Sequence, residues 1–280
     1  MKNIDEKTVK SFGDEWGRFD QSALPDSESA RIFNDYFSIF PWDELPLDCE
    51  GFDMGCGSGR WAKLVAPKVQ HLNCVDPSSA IEVARDTLSV HDNVSFYHSS
   101  LEDAPIQKGS QDFGYSLGVL HHIPDTSKAI QSCASLLKPG APLLLYLYYA
   151  FDDRPIWYRF LWKLTDYIRK IIFNMPPSLK NITTNIIALL IYWPLARLAG
   201  LLSYLGISTK NMPLEYYKDC SFYTMQTDSR DRFGTPLEQR FSKTQIKNMM
   251  TDAGLQNIRF SESAPFWCAI GYADKSHDST

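Results

Sequence analysis

The sequence predicts an α/β protein built on an open, doubly wound sheet. Strand and helix patterns alternate five times between residues 48 and 150, an order that favours a parallel sheet with helices on both faces. After Phe241, one more helix pattern precedes two strand patterns, as is usual where a mixed sheet ends with an antiparallel strand. We therefore expect a seven-stranded, mostly parallel sheet.

The same patterns divide the chain into four segments. Residues 1–47 are a helical lead-in, residues 48–150 the α/β core, residues 151–240 a helical insertion that caps the core, and residues 241–280 the last helix and strands. The insertion is separated from the core because it contains no βα repeat. A chain of 280 residues accommodates one large domain with such an insertion.

The lead-in carries three aromatic side chains at helical spacing. Phe12, Trp16 and Phe19 recur at intervals of four and three residues, which aligns them on one helical face. Such a face either packs over the edge of the core or forms a flap whose rings close over a bound ligand.

Composition and charge exclude several classes of function. The net charge is −5 and no run of Lys or Arg forms a basic patch, so we expect no nucleic-acid binding. The six cysteines are scattered without a Cys-x-x-Cys pair, which predicts neither a metal site nor a redox motif. Since residues 1–7 lack the apolar core of a signal peptide, we expect a cytoplasmic protein with reduced thiols.

The candidate ligand site is a glycine-rich turn. Asp53-Met-Gly-Cys-Gly-Ser-Gly59 lies between a strand pattern and a helix pattern, and Asp76 ends the next strand pattern. Gly57–Ala62 matches the G-x-G-x-x-G/A motif that, with an acidic residue about 20 positions later, binds dinucleotides. That match supports NAD. Asp53 would repel a pyrophosphate, however, and suits a nucleoside that carries an ammonium or sulfonium group.

Three further motifs follow the glycine turn in order: Ser116–Asp125, Leu136–Gly140 and the helix pattern Phe241–Gly254. Together with the turn they resemble the class I S-adenosylmethionine-dependent methyltransferases, in their ubiquinone/menaquinone-biosynthesis-like branch. The resemblance implies a Rossmann-like methyltransferase fold with S-adenosylmethionine as cofactor. The cofactor contacts that it implies are Asp53, Gly55, Cys56, Gly57, Gly59, Asp76, Pro77, Ser100, Leu101 and Leu117. Relatives often have Asp where Ser100 stands, and its hydroxyl can accept the same hydrogen bond.

The implied reaction is methyl transfer to oxygen or nitrogen of a small or amphipathic acceptor, with release of S-adenosylhomocysteine. His122, His121 and Tyr148 are the candidate catalytic residues, because the histidines follow the fourth strand near the expected methyl group and Tyr148 lies on the last half of the fifth. A positioned base contributes roughly 10²–10⁴-fold to a rate. The histidines could instead only fix the loop before Asp125. An NAD-dependent oxidoreductase and a non-catalytic methyltransferase-like binding subunit remain alternatives.

The acceptor site is expected in the insertion. Residues 221–240 are dense in hydrogen-bonding side chains and precede the point where the core resumes. Tyr223, Arg232 and Glu238, with Trp16 of the lead-in, are the candidate acceptor contacts, since a guanidinium group matches a carboxylate or phosphate. The alternative is a solvated loop with internal salt bridges.

The insertion is also markedly apolar. Residues 155–173 have the pattern of an amphipathic helix, and residues 181–209 carry a single charge, Arg197. That length could span a bilayer, but Pro194 and Arg197 interrupt its middle. The other interpretations are a buried helix pair and an interfacial membrane contact through residues 155–205. The last agrees with an apolar or lipid-linked acceptor.

Overall fold

The predicted fold class is confirmed. A computed structural model describes residues 2–152 and 154–274, with a seven-stranded sheet in the order β3-β2-β1-β4-β5-β7-β6. The strands are β1 Glu50–Met54, β2 His71–Val75, β3 Val94–Tyr97, β4 Phe113–Leu117, β5 Pro142–Tyr146, β6 Leu255–Phe260 and β7 Cys268–Ala273. Strands β1 to β5 are parallel, whereas β7 pairs antiparallel with both β5 and β6.

The helices connect these strands and fill the insertion. They are α1 Glu6–Arg18, α2 Asp26–Tyr36, α3 Ala62–Val65, α4 Ala80–Thr87, α5 Thr126–Ser135, α6 Ile156–Ile172, α7 Pro177–Ile187, α8 Trp193–Tyr204, α9 Phe222–Gly234 and α10 Lys243–Asp252. Residues 275–280 of the predicted terminal segment lie outside the described residues.

The chain forms two compact units. The core unit comprises Met1–Asp20, Ala30–Ala150 and Leu237–Thr280, and the cap unit comprises Gln21–Ser29 and Phe151–Pro236. The cap unit is nearly the insertion expected from the sequence. It gains residues 21–29, however, and residues 237–240 are part of the core unit instead.

Both faces of the sheet are covered, as a doubly wound fold requires. Along β5, Leu144 packs into one buried cluster, while Leu143 and Leu145 pack into the other. Gly51 lies in β1, although glycine has a low propensity for β-strands. A Cβ atom there would lie 2.3 Å from the ring of Phe113, so the missing side chain is what admits that ring.

In the cap unit, α7 and α8 form one continuous helix, Pro177–Tyr204. A π-helical turn at Ala188–Tyr192 joins them. Pro194 lies at the start of α8, and a π-turn is one of the local distortions at which a helix accommodates a residue that cannot donate to the preceding turn. The prediction of a buried helix pair is therefore wrong. The segment forms one unbroken helix instead of two, and only 22% of its most apolar part is buried.

The segment before the core resumes is helical rather than a loop. Ser221 caps α9 by accepting a hydrogen bond from the Thr224 amide, as serine does at helix N-termini. The carboxylate of Glu28 accepts bonds from the Ser221 amide and the Thr224 hydroxyl. Because Glu28 stands far away in the sequence, sequence patterns alone did not reveal this start of a helix.

Candidate active site

The glycine turn between β1 and α3 has a backbone that only glycine adopts easily. Gly55, Gly57 and Gly59 have φ values of +81°, +53° and +78°, in the left-handed region where a Cβ is unfavourable. A Cβ on Gly55 would also lie 2.4 Å from the Val119 side chain. The three glycines are thus required by the path of the turn as well as by any ligand.

Three consecutive amide groups of this turn donate hydrogen bonds within the protein. The Gly55 and Cys56 amides both donate to the Val75 carbonyl, at 2.7 and 3.1 Å. The Gly57 amide donates to Oδ2 of Asp76 at 2.9 Å. Helix α3 has only four residues and offers little positive dipole. The Gly55, Cys56 and Gly57 amides therefore already have acceptors, and the neighbouring acids Asp53 and Asp76 suit a cation better than a pyrophosphate.

Asp53, at the end of β1, is the most unusual ionisable group of the turn. It is 1% exposed, and its Oδ2 has no hydrogen-bond partner among the described residues. Burial raises the pKa of Asp53 to about 8; the Tyr115 hydroxyl offsets part of that rise, and Asp76 adds to it. A buried carboxyl without a cationic partner fits the ammonium or sulfonium end of S-adenosylmethionine.

Asp76, at the end of β2, holds the turn in place. Besides the Gly57 amide, its carboxylate accepts from the Ser78 amide at 2.8 Å and the Ser78 hydroxyl at 2.6 Å. Burial raises the pKa of Asp76, and the bonds from Ser78 and Gly57 oppose that rise. A carboxylate has about four acceptor positions, so these three bonds leave capacity for a ribose hydroxyl.

Four further predicted cofactor contacts, with the ribose, the adenine and the methionyl end, lie at the ends of neighbouring strands. The carbonyl of Pro77 contacts the His98 ring at 3.1 Å. Ser100 donates to the Asp103 carboxylate at 2.8 Å and comes immediately before the 3₁₀ turn that begins at Leu101. Leu117 ends β4 and is buried. The structure thus provides an acid, Asp103, beside the serine that stands where relatives have Asp.

Helix α1 extends over the turn and over the loop after β4. Trp16 approaches to 3.1 Å from the position that a Cβ on Gly57 would occupy. One turn earlier, the Phe12 ring meets the His122 ring edge-on at 4.9 Å. Residues four apart on a helix are neighbours, so α1 brings the glycine turn and the histidines into one site. Both interpretations of the lead-in, packing over the edge of the core and a flap over a ligand, predict such contacts.

His122 is oriented by a backbone carbonyl. Its Nδ1 lies 2.5 Å from the carbonyl oxygen of Leu237. A carbonyl only accepts hydrogen bonds, so Nδ1 carries the proton and Nε2 of the neutral ring is the basic nitrogen. The Leu237 amide in turn donates to the Thr8 hydroxyl at 3.2 Å, which fixes the carbonyl.

His121 lies against Tyr148. The two rings stack with centroids 3.9 Å apart. His121 is fully buried, and neither ring nitrogen has a hydrogen-bond partner among the described residues. Burial, with His122 and Arg240 nearby, holds the pKa of His121 well below its usual range. Buried polar atoms are nearly always hydrogen-bonded, so this neutral ring is a candidate contact for a bound molecule.

Residues 237–240 lock the two histidines in place, a role that the sequence did not indicate. The Gln239 amide donates to the His121 carbonyl at 3.0 Å, and its side chain donates to the Ile123 carbonyl at 2.7 Å. The Arg240 guanidinium lies 5.0 Å from the centre of the Tyr148 ring. Glu238, a predicted acceptor contact, is paired with Arg240 at 2.8 Å.

The remaining predicted acceptor contacts lie on α9 of the cap unit. The Tyr223 hydroxyl accepts from the Gln21 amide at 3.0 Å. Arg232 lies 3.8 Å from Asp166 and above the Trp162 ring. These contacts hold the cap unit together internally, and the acceptor role of both residues stays a prediction. In the described part of the chain, no group of three or more His, Cys, Asp and Glu side chains could hold a metal ion.

Comparison with known proteins supports the methyltransferase prediction for the central segment of the chain. Residues 52–145 match the family model described as "Methyltransferase domain". A ubiquinone biosynthesis O-methyltransferase of Xanthomonas axonopodis pv. citri is 35% identical over 103 residues, which are 36% of this chain and 43% of the relative. The chain thus matches less than half the length of that relative. The resemblance to class I methyltransferases is confirmed for this central segment.

Two solved structures share the fold. A candidate O-methyltransferase of Nostoc punctiforme superposes with a TM-score of 0.50 and 13% identity, covering 92% of this chain and 60% of that one. A candidate exported protein of Bordetella parapertussis gives 0.51 and 14%, covering 90% and 71%. At these identities the likeness concerns the fold alone.

Proposed function

We propose that this protein transfers a methyl group from S-adenosylmethionine to an amphipathic acceptor. The observation that carries the proposal is the polarity of the glycine turn. The amides of Gly55, Cys56 and Gly57 already donate hydrogen bonds to Val75 and Asp76. A buried carboxyl group, that of Asp53, lies at the start of the turn. Such a turn favours a cationic nucleoside over a dinucleotide, which would need amides for its phosphates. The methyltransferase match over residues 52–145 agrees.

The residues of the core have distinct roles in this proposal. The cofactor supplies a methyl group already activated on a sulfonium. Asp53 faces its positive end, while Asp76 binds the ribose hydroxyls and keeps Gly57 in position. Ser100 and Leu101 contact the adenine, and the backbone at Leu117 contacts the methionyl end. Trp16 and Phe12 of α1 cover the site and exclude water.

His122 is the proposed general base. Donation from its Nδ1 to the Leu237 carbonyl leaves Nε2 to take the proton of an acceptor hydroxyl. His121, stacked on Tyr148, orients the acceptor with a neutral ring. The relative from Xanthomonas is named as an O-methyltransferase of ubiquinone biosynthesis, which favours a hydroxyl on a lipid-like aromatic acceptor for this chain too.

Turnover tests the proposal directly. The full chain is incubated with S-adenosylmethionine and a panel of phenols with and without long alkyl chains, and S-adenosylhomocysteine and methylated product are measured. We expect release that depends on the acceptor and favours alkyl phenols. Cofactor binding without turnover on any acceptor would instead indicate a binding subunit, and hydride transfer to NAD would indicate an oxidoreductase.

The base is tested by His122→Gln, which keeps a hydrogen bond to the Leu237 carbonyl but removes the basic nitrogen. We expect kcat to fall by roughly 10²–10⁴-fold with KM nearly unchanged. His91→Gln is the control, because His91 lies between α4 and β3, in a segment that contains none of the candidate site residues. Unchanged kcat in His122→Gln would remove the base from the proposal.

A further inference from the structure

The long helix of the cap unit has its polar side inward. Along Pro177–Tyr204, the residues that face the protein are small or polar, except Tyr192, which belongs to a small apolar cluster. They are Lys180, Asn181, Thr184, Ala188, Tyr192, Ala196 and Ala199. The exposed side chains are bulky and apolar. They are Leu179, Ile182, Ile186, Leu189, Leu190, Ile191, Trp193, Leu198, Leu201 and Tyr204. A helix on the surface of a soluble domain has the opposite arrangement.

Helix α6 repeats this inversion. Its large apolar side chains recur every three or four residues and are exposed. They are Ile156, Trp157, Phe160, Leu161, Leu164, Tyr167, Ile168 and Ile171, with Phe160 at 71% exposure. Arg169, by contrast, is buried. Arg159, Lys163 and Lys170 are exposed and, at helical spacing, line one border of the apolar stripe.

Hydrogen bonds inside the cap unit account for the buried polar groups. Arg230, 1% exposed, donates to the Asn181 side chain at 3.0 Å. Lys180 donates to the Gly234 carbonyl at 3.2 Å, and Arg169 donates to the Thr235 carbonyl at 2.7 Å. These two cations meet the carbonyl end of α9, where the helix dipole favours positive charge. These bonds explain how the polar side chains can be buried. They do not explain why the large apolar side chains are exposed.

Basic residues predominate in this part of the chain, although the whole chain is acidic; two of them, Arg169 and Lys180, are themselves buried. Between residues 154 and 214 there are eight Lys and Arg residues and one acidic residue, Asp166. The net charge of the chain is −5. An apolar surface bordered by Lys and Arg, with Trp and Tyr among its exposed side chains, has the composition of a helix that lies in the interface of an anionic membrane.

We propose that the cap unit binds the surface of an anionic lipid bilayer through the exposed faces of α6 and the helix Pro177–Tyr204. Both faces enter the headgroup region, and Arg159 and Lys163 contact lipid phosphates. The helix lies in the interface rather than spanning the bilayer, because its other side is bonded to α9. The Ser229 hydroxyl donates to the Thr184 carbonyl at 2.9 Å, and the Gln226 amide group donates to Asn185 at 3.3 Å.

This binding does not depend on methyl transfer, so the two proposals are tested separately. The full chain without cofactor is mixed with sucrose-loaded vesicles of phosphatidylcholine, or of phosphatidylcholine with 30% phosphatidylglycerol, and the sedimenting fraction is measured. We expect saturable partition onto the anionic vesicles, a blue shift of tryptophan fluorescence, and partition weakened by salt.

Two pairs of variants locate the surface. Phe160→Glu with Ile168→Glu on α6 should weaken partition at least about 100-fold, since two large side chains lose their burial in lipid. Val90→Glu in the core unit, where Val90 is 81% exposed, is its control and should have no effect. Arg159→Glu with Lys163→Glu should weaken partition onto anionic vesicles at least about tenfold, whereas Lys247→Glu on α10 should not.

Sedimentation velocity and circular dichroism accompany each measurement. Every substitution is at an exposed position, so the variants should retain the wild-type spectrum. Absence of vesicle binding by the wild-type chain would overturn the proposal, as would equal loss in the Val90→Glu control. A wild-type dimer that Phe160→Glu with Ile168→Glu dissociates, without vesicle binding, would assign the face to a second copy and overturn it as well.

Discussion

The core unit and the cap unit differ in where most of their large apolar side chains lie. In the core unit, strand residues such as Leu143, Leu144 and Leu145 are fully buried. In the cap unit, the largest fully buried side chain is Arg230. Apart from Leu47 and Val90, every exposed large hydrophobic side chain among the described residues belongs to the cap unit. One chain thus contains a unit stabilised mainly by apolar burial and a unit whose interior combines a small apolar cluster with buried hydrogen bonds.

This difference separates two tasks. The core unit needs a close-packed sheet, because the strand ends must hold Asp53, Asp76 and the histidines in fixed positions. The cap unit leaves many of its large apolar side chains exposed, where they are available to lipid. The same difference predicts that equivalent substitutions will have unlike effects in the two units.

The largest effect is expected from Leu144→Ala in the core unit. Leu144 is fully buried in the sheet, so the cavity left behind should lower the free energy of unfolding by about 2–5 kcal/mol. Denaturant titration measures this change, with the exposed Val90→Ala as control. A loss below about 1 kcal/mol would mean that the core is not close-packed at β5.

The second largest effect is expected from Asp76→Ala, which should weaken cofactor binding. Loss of the ribose contact and of the bond that holds the Gly57 amide should weaken S-adenosylhomocysteine binding about 100-fold, or about 2.7 kcal/mol. Calorimetry measures the affinity, and Asp86→Ala on the exposed side of α4 is the matched control. Vesicle partition should be unchanged, since it resides in the cap unit. Retained affinity would contradict the ribose role.

Asp53→Asn should change stability in a pH-dependent manner. The pKa of Asp53 is raised to about 8, so its contribution to stability is present below about pH 4 and is lost as pH rises towards 8. The uncharged amide avoids that loss. We expect the variant without cofactor to exceed the wild type at pH 9 by at least about 1.4 kcal/mol, the equivalent of one pKa unit, with a smaller difference at pH 5. Thermal unfolding across this range tests it, and a pH-independent difference would contradict a buried neutral carboxyl.

The smallest effect on stability is expected from Leu164→Ser in the cap unit. Leu164 is 54% exposed on α6, so the free energy of unfolding should change by no more than about 0.5 kcal/mol. Vesicle partition should nevertheless fall, because the side chain loses its burial in lipid. If Leu164→Ser lowered the free energy of unfolding as much as Leu144→Ala, the proposed difference between the two units would be contradicted.

Much of the core could be predicted from the sequence because its signals are local. Alternating strand and helix patterns, glycines at alternate positions and an acid at the end of each of two strands identify the sheet edge where Asp53 and Asp76 lie. The carboxyl ends of parallel strands necessarily lie together there. His121 and His122 were predicted for the same reason.

What could not be predicted depends on contacts between distant parts of the chain. The Leu237 carbonyl orients His122 from 115 residues away, and Gln239 and Arg240 reach the same loop. Glu28 caps α9 from 193 residues away. The Pro177–Tyr204 helix was expected to break near Pro194, and the preceding π-turn is a distortion without a sequence signature. Its exposed apolar face also contradicts the usual inference that an apolar helix is buried.

The most direct test of the central assignment is the protonation of Asp53 during cofactor binding. Titration calorimetry with S-adenosylmethionine at pH 7 is performed in phosphate and in Tris, whose ionisation enthalpies differ. A cationic cofactor beside Asp53 should lower its pKa and release about one proton, and Asp53→Asn should release none. Binding of NAD with no response to S-adenosylmethionine, or equal proton release in the variant, would contradict the assignment of this turn to a sulfonium cofactor.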